Sequence, residues 1–408
     1  MPKKPLRYWA KLKNRVSVVG QGYVGLPIAI AAASVGFHVC GIDTDENKIK
    51  SLVSGKSVIE DVTDQAIKKS IDTKNYFPTT DTLVISESQI VLICVPTPLS
   101  NDHKPDLSYL IDATTTVGRN LKAGSLVIVE STIEPGTCRN ILVPILVRES
   151  GLRESEFEFA YSPERIDPSN KKWSIINTPK LVAGYTEQAA LNAEVFYKKF
   201  IKNLNICSTL EIAETAKLLE NTFRLVNISF INELAVFCNK INVDINQVIA
   251  AASTKPYGFM PFYPSIGVGG HCIPVDPIYL STAAKAVGAP TRLIDMADQI
   301  NREIPAFFVQ RAEDKIGNLK GKKVIVVGVS YKPNVSDVRE TPVKSLIVGL
   351  RQKGAQVSWH DSLVEHWDGE KSVALDTDYD LAILATPHDY LELSKLGNTP
   401  ILNTRESI

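Results

Sequence analysis

The stretch VGGHCIPVDP, residues 268–277, sets a thiol, Cys272, directly after Gly269, Gly270 and His271, with a carboxylate, Asp276, four residues on. The thiolate is the nucleophilic form of cysteine, and it needs a polarised, partly open environment. Glycines permit close approach of the backbone to a ligand and take side-chain bulk away from the sulfur. A lone cysteine is more often an inert core residue, but such a residue has no use for a glycine loop. The pattern predicts a catalytic thiol with Asp276 at hand.

A second constellation lies in RVSVVGQGYVGLPIAIAAASVGFHVCGID, residues 15–43. An apolar β-branched run predicts a strand, Gly20-x-Gly22-x-x-Gly25 a tight turn, and the alanine-rich run a helix. This arrangement lets backbone N–H groups approach a pyrophosphate at the positive end of a helix. Asp43 closes the next strand, at about the 20-residue offset where an acid accepts the ribose hydroxyls. The run GIDTDENK puts no arginine beside Asp43, so a 2'-phosphate would face a bare negative charge. NAD rather than NADP is predicted.

Other residues carry weaker signals. Lys217 and Asn221 are one helical turn apart, with Arg224 beside them. They suit an oxyanion and hydroxyl clamp, and equally a solvated polar stripe. Glu164 and Arg165 lie between two prolines in YSPERIDPSN, a pattern also met in ordinary charged turns. Thr97 and Thr132 stand just past strand ends, the edge at which open α/β sheets bind ligands. Helix or turn capping explains a threonine there as well.

Short apolar strands alternating with helical stretches around these residues predict parallel α/β sheets. Strands are expected in SQIVLICVPTP and over Leu126–Val129. From Glu211 the run EIAETAKLLENTFRLVNISFINELAVFCNKINV has no proline or glycine and predicts one long helix. At Lys322 a second strand–loop–helix–strand unit begins and ends at Asp361, with Gly328 but no GxGxxG. The expected fold is therefore α/β, with two Rossmann-like parallel-sheet domains joined by a long central helix. The expected division is 1–205, 206–310 and 311–408.

Composition narrows the function classes. The chain has 408 residues and 45 basic against 45 acidic side chains, so no net field favours nucleic acid or an anionic membrane. Its 6 cysteines are scattered without a CxxC pair or a His/Cys cluster, which predicts reduced thiols, a cytoplasmic setting and no metal site. The opening MPKKPLRYWAKLKN lacks the apolar core of a secretory signal. No apolar run approaches the roughly 20 residues of a membrane helix.

In order along the chain, GQGYVGLP, VPTPL, ESTIEPGT, YSPERIDP, AKLLENTFRLVNISFINEL, GVGGHCIPVDP and YKPNVSDVRET resemble the UDP-sugar 6-dehydrogenase family. That family includes UDP-glucose dehydrogenase and the UDP-N-acetylhexosamine dehydrogenases. The resemblance implies an NAD-dependent, four-electron oxidation of a sugar C6 alcohol to a uronic acid, a surface-polysaccharide precursor. It makes Cys272 the nucleophile, through a thiohemiacetal and a thioester. It gives Lys217 and Asn221 the developing oxygen charge, and Glu164, Thr132 and Asp276 the water. By the same resemblance Gly20, Gly22, Tyr23, Val24, Gly25, Asp43, Lys48, Thr97, Thr132 and Arg339 meet NAD. Arg165, Ile166, Lys217, Asn221, Arg224, Tyr263, Gly269, Tyr331, Lys332 and Arg405 meet the UDP-sugar. A homodimer or higher homo-oligomer is expected.

Two positions depart from the UDP-glucose pattern: Pro168 stands where a second glutamate is usual, and Val275 where lysine is. SPERIDP and KPYGFMPFYPSIGVGGHCIP are instead similar to the branch acting on UDP-N-acetylglucosamine. UDP-glucose, UDP-N-acetylmannosamine and UDP-N-acetylgalactosamine are the alternatives. A two-electron β-hydroxyacid dehydrogenase shares the first domain, long helix and lysine but needs neither the cysteine loop nor a second nucleotide domain. A non-catalytic nucleotide-sugar sensor would be expected to lack Cys272 or Lys217.

Overall fold

The computed structural model describes residues 12–167, 170 and 172–405. Most of the basic N-terminal stretch, and Pro168, lie outside the described residues. The chain divides into two compact units, Met1–Leu219 and Glu220–Ile408.

The first unit is built on an eight-stranded sheet of order β3-β2-β1-β4-β5-β6-β7-β8. Its strands are β1 (Arg15–Val19), β2 (His38–Ile42), β3 (Tyr76–Thr79), β4 (Ile90–Ile93), β5 (Leu126–Val129), β6 (Glu158–Tyr161), β7 (Lys180–Gly184) and β8 (Leu204–Ile206). Apolar side chains at both faces of β4 and β5 are buried, as continuous apolar runs in a two-sided parallel sheet must be, and β1 buries Val16, Ser17 and Val18. The order reverses between β1 and β4, which opens the crevice at their carboxyl ends. The sequence pattern predicts a parallel sheet, and one pair departs from it. β7 pairs antiparallel with β6, and β8 follows β7. The reversal delivers the first residue of β7, Lys180, to the edge where β5 and β6 end.

Helix α1 (Gly25–Ser34) packs its Leu26, Ile28, Ala29 and Ala32 into the core against β1 and β2. Small alanines let it lie close to the strands. Helices α2 (Glu46–Val53) and α3 (Asp64–Asp72) follow, each opened by an acceptor side chain, Asp45 and Thr63. The later crossovers use α4 (Ser108–Asn120), α5 (Val143–Ser150) and α6 (Glu187–Tyr197). The long helix predicted from Glu211 is present as α7 (Leu210–Lys240).

The second unit carries helices α8 (Ile245–Ala252), α9 (Asp276–Ala286), α10 (Arg292–Ile316) and α11 (Val343–Gln352). Its four-stranded parallel sheet has the order β10-β9-β13-β14. The strands are β9 (Lys323–Val327), β10 (Gln356–His360), β13 (Leu381–Leu384) and β14 (Ile401–Asn403), and a small hairpin supplies β11 (His366–Trp367) and β12 (Glu370–Lys371).

The two units repeat one backbone device. Gly20 follows β1 with φ of 92° and Gly328 follows β9 with φ of 84°. A Cβ at Gly20 would stand 2.5 Å from the Cys94 carbonyl oxygen, and one at Gly328 would overlap that of Thr386. Only glycine serves there, for conformation and for space. In each unit the next amide donates to an aspartate past the neighbouring strand: Gln21 N–H to Asp43 at 2.8 Å, Val329 N–H to Asp361 at 2.9 Å. The Rossmann turn is thus retained in the second unit, although its GxGxxG pattern is absent.

Candidate active site

In the first unit the glycine loop, Asp43 and Lys48 come together. Gly22 has open space where its Cβ would be, whereas a Cβ at Gly25 would overlap the Gly20 carbonyl. The turn therefore leaves room at the start of α1 and brings the helix tight against the loop, as a pyrophosphate requires. Tyr23 and Val24 enter α1, and the Tyr23 hydroxyl donates to Glu60 at 3.1 Å. Asp43 accepts from Gln21 N–H, Asp45 N–H and Lys48 Nζ at 2.8, 3.0 and 2.7 Å. Partial burial raises its proton affinity, but the Lys48 ammonium and these amides outweigh that and hold the carboxyl below its usual range. The sequence suggests a bare acid, but Asp43 is paired with Lys48. It remains an acceptor at the end of β2, and these residues fit an NAD ribose and pyrophosphate.

Sequence reasoning missed the side chain that sets this loop. Gln21 is fully buried; its amide donates to Val18 O and Gly20 O at 2.8 and 3.0 Å and accepts from the Tyr76 hydroxyl at 2.7 Å. The variable position of a glycine motif carries no signal for this.

Further along the same edge stand Thr97 after β4, Thr132 after β5 and the Glu164 loop after β6, all partly buried. Glu164 Oε1 accepts the N–H groups of Arg165 and Ile166 at 2.6 and 2.5 Å. The Arg165 guanidinium donates to Pro179 O at 2.6 Å. Beneath them Lys180 Nζ lies between Glu130 and Glu164, 2.5 Å from the first and 3.7 Å from the second. Glu214, on the first turns of α7, accepts Gly136 N–H and Cys138 N–H at 2.6 and 3.0 Å and so ties the ESTIEPGT loop to the helix.

Lys217 and Asn221, a turn apart on α7, are both buried, which rules out the solvated-stripe reading for these two; Arg224 is exposed. In the second unit Asn221 Nδ2 donates to Asp276 Oδ2 at 2.5 Å. Asp276 is buried and opens α9, and its own N–H donates to the Cys272 carbonyl at 2.8 Å. One helical turn therefore fixes the thiol-bearing residue, and Asp276 links it to α7.

The glycines before Cys272 serve a purpose that the sequence did not reveal. A Cβ on Gly269 would stand 2.7 Å from the Glu340 carbonyl, and one on Gly270, whose φ is 82°, 2.8 Å from the Tyr331 ring. Gly270 N–H donates to the Arg339 carbonyl at 3.0 Å. The glycines thus seat the loop on the 331–342 segment rather than clearing space around the sulfur. Arg339 pairs through its guanidinium with Asp337 at 2.5 Å, and His271 Nδ1 lies 3.9 Å from the same carboxylate. Tyr331 and Lys332 are partly buried, whereas Tyr263 and Arg405 are exposed.

Three family models match nearly end to end. They describe the NAD binding, central and UDP binding domains of the UDP-glucose/GDP-mannose dehydrogenase family, over residues 14–201, 211–303 and 325–404. The chain belongs to this family. It is an NAD-dependent oxidoreductase with a UDP-binding domain. A Pseudomonas aeruginosa UDP-N-acetyl-D-glucosamine 6-dehydrogenase is 34% identical over 396 residues, 94% of this chain and 92% of that one. A Pyrococcus horikoshii UDP-N-acetyl-D-mannosamine dehydrogenase is 36% identical over 381 residues, covering 90% and 89%. A solved structure of a UDP-D-ManNAc dehydrogenase from P. horikoshii superposes with a TM-score of 0.88 at 33% identity, covering 96% of this chain and 95% of that one. No helix among the described residues is long and apolar enough to cross a membrane.

Asp43 is the residue on which the preference for NAD is expected to rest. Replacing it by alanine removes the acceptor expected to hold the ribose hydroxyls and leaves Lys48 without its partner carboxylate. Steady-state kinetics of Asp43→Ala should show KM for NAD raised on the order of 10- to 100-fold, as expected for lost charge-assisted bonds. The NADP preference ratio should move toward parity. Equal kinetics with NAD and NADP in the unsubstituted enzyme would contradict the assignment.

Proposed function

We propose that the protein oxidises the C6 alcohol of UDP-N-acetylglucosamine to the carboxylate in two two-electron steps, with Cys272 as covalent nucleophile. The observation that carries this is the seat of the thiol: a glycine loop packed on Tyr331 and Glu340, with its carbonyl held by Asp276 and Asp276 held by Asn221. A cysteine that merely packed would need no such support. The proposed division is 1–205 for NAD, 206–310 for the central helices and cysteine loop, and 311–408 for the UDP moiety.

NAD, when bound, supplies the hydride acceptor for both oxidations. The residues of the chain do the rest. The Cys272 thiolate adds to the C6 aldehyde, forming a C–S bond and a thiohemiacetal, so the aldehyde does not escape. Lys217 and Asn221 donate to the C6 oxygen as its negative charge develops. Oxidation of the thiohemiacetal leaves a thioester. Glu164, with Thr132 and Asp276, orients and deprotonates the water that attacks it, and the C–S bond breaks to return the thiolate. Arg165, Ile166, Arg224, Tyr263, Gly269, Tyr331, Lys332 and Arg405 hold the UDP-sugar. Thr97 and Arg339 complete the NAD contacts.

SPERIDP and the loop Lys255–Pro264 support N-acetylglucosamine as the sugar, and relatives named for both N-acetylglucosamine and N-acetylmannosamine match at similar identity. A panel of UDP-sugars should therefore give the highest kcat/KM with UDP-N-acetylglucosamine and two NADH per sugar consumed. Higher kcat/KM with UDP-glucose or UDP-N-acetylmannosamine would move the assignment to that substrate. One NADH per sugar with a released aldehyde would instead indicate two-electron chemistry.

The setting proposed is cytoplasmic, consistent with six cysteines and no disulfide. A homodimer is proposed because α7 exposes Phe223, Phe230 and Phe237 at seven-residue intervals, an apolar stripe of the kind that marks an interface. Light scattering of the purified protein should give twice the 44.8 kDa chain mass or a higher even multiple. A monomer at micromolar concentration would refute it.

Cys272→Ser tests the covalent step. Serine is a far poorer nucleophile near neutral pH, and its ester hydrolyses more slowly than a thioester. Steady-state NADH formation should fall at least ~1000-fold, with at most one burst equivalent and a sugar retained on the protein by mass spectrometry. Turnover like that of the unsubstituted enzyme would exclude the mechanism.

A further inference from the structure

The chain buries a full ion pair at the edge of the first sheet, and the chemistry assigned above does not use it. Lys180 and Glu130 have side-chain exposures of 6% and 0%. Lys180 enters on the reversed strand β7, and Glu130 is the first residue past β5. The Tyr197 hydroxyl, from the end of α6, donates to the second Glu130 oxygen. A buried pair of this kind costs desolvation that its own attraction scarcely repays. Two neutral side chains of similar size would pack the same space.

What the pair touches gives it a use. Lys180 Nζ also donates to the carbonyls of Ser162 and Pro163, each at 3.3 Å. Ser162 Oγ donates to Leu181 O at 2.7 Å, and Arg165 donates to Pro179 O at 2.6 Å. The loop bearing Glu164 is therefore strapped along its length to residues 179–181. Glu164 Oε2 is buried and accepts no hydrogen bond, and Lys180 Nζ stands 3.7 Å from it. Lys180 is thus the cation that faces this oxygen, and a buried charge is tolerated where an opposite charge is near.

We propose that Lys180, held by Glu130 and Tyr197, is a positioning residue for Glu164: it fixes the 162–166 loop and sets its ammonium against the Glu164 carboxylate. This rests on the role given to Glu164 above. The groups facing Lys180 are Glu130, Glu164 and Cys94, with the Tyr197 ring centroid 5.3 Å from its Nζ. Burial lowers the proton affinity of Lys180, but Glu130 and Glu164 more than restore it, so the ammonium persists. Burial pushes Glu130 up to about 7 against the pull of Lys180, with Glu164 adding to the rise. Burial lifts the Cys94 thiol and the Tyr197 hydroxyl far above their usual range, so both stay neutral. As pH falls through about 7, Glu130 takes up a proton and the Lys180 cation is left to Glu164.

The test compares Lys180→Met, Lys180→Arg, the neutral pair Lys180→Met/Glu130→Gln and Glu164→Gln, through pH profiles of kcat, KM for the UDP-sugar and thermal melting. The neutral pair guards against misfolding, since it removes both buried charges together. It should melt near the unsubstituted protein, lose ~10-fold or more in kcat with KM within ~3-fold, and shift the acidic limb of kcat upward by about one pH unit. Lys180→Arg should return the limb toward its original position. An unchanged kcat, or a fall in kcat and melting temperature with an unmoved limb, would overturn the proposal. Glu164→Gln with full turnover would sink the role of Glu164, and this proposal with it. Loss of turnover in Glu164→Gln, with the original limb kept in every Lys180 variant, would sink the positioning role alone.

Discussion

Backbone amides at the carboxyl ends of the strands have no ladder partner, and this protein satisfies them with buried or half-buried carboxylates. Asp361 takes the N–H groups of Val329, Ser330, Leu363 and Val364. Asp43 takes those of Gln21 and Asp45, Glu214 those of Gly136 and Cys138, and Glu164 those of Arg165 and Ile166. An amide left unpaired in such places would cost about as much as a lost hydrogen bond. Each acid therefore fixes a loop. The nucleotide and sugar chemistry proposed here is carried by those loops, so their geometry depends on these contacts.

The same acids need compensating charge or donors of their own. Lys48 answers Asp43, and Lys180 answers Glu130. Asp361 is answered by His388, whose Nδ1 accepts the Asn334 N–H and whose Nε2 therefore carries the proton that Asp361 accepts at 2.9 Å. The second unit thus spends its strand-end aspartate on internal wiring. In the first unit the corresponding aspartate sits in the partly open crevice mouth. One backbone turn serves a dinucleotide site in one case and a self-contained loop in the other, according to what surrounds the carboxylate.

Elements and their types were legible in the sequence because local pattern decides them. Apolar β-branched runs mark β1, β4, β5 and β9, and the long proline-free run marks α7. The glycine fingerprint, Asp43 and the Cys272–Asp276 spacing were legible for the same reason, since each motif lies within one turn or one strand–turn–helix unit. Residues whose partners lie far along the chain were not legible. Gln21 acquires its meaning from Tyr76, Glu130 from Lys180, and Glu214 from Gly136. Lys217, Asn221 and Glu164 stayed ambiguous until the ordered series of motifs gave them a family context.

The sequence by itself determined the two strand–turn–helix units, the long helix that follows the first of them and the cofactor class, because hydrophobic periodicity and glycine spacing act over a few residues. Tertiary structure decided the reversal of β7, which sets Lys180 beside Glu130 and Glu164. It also decided that the glycines before Cys272 pack on Tyr331 and Glu340, and that Asp43 is paired with Lys48. Burial and charge compensation are properties of where side chains meet in space, and partners such as Lys180 and Glu130, 50 residues apart, leave no periodic trace in the chain.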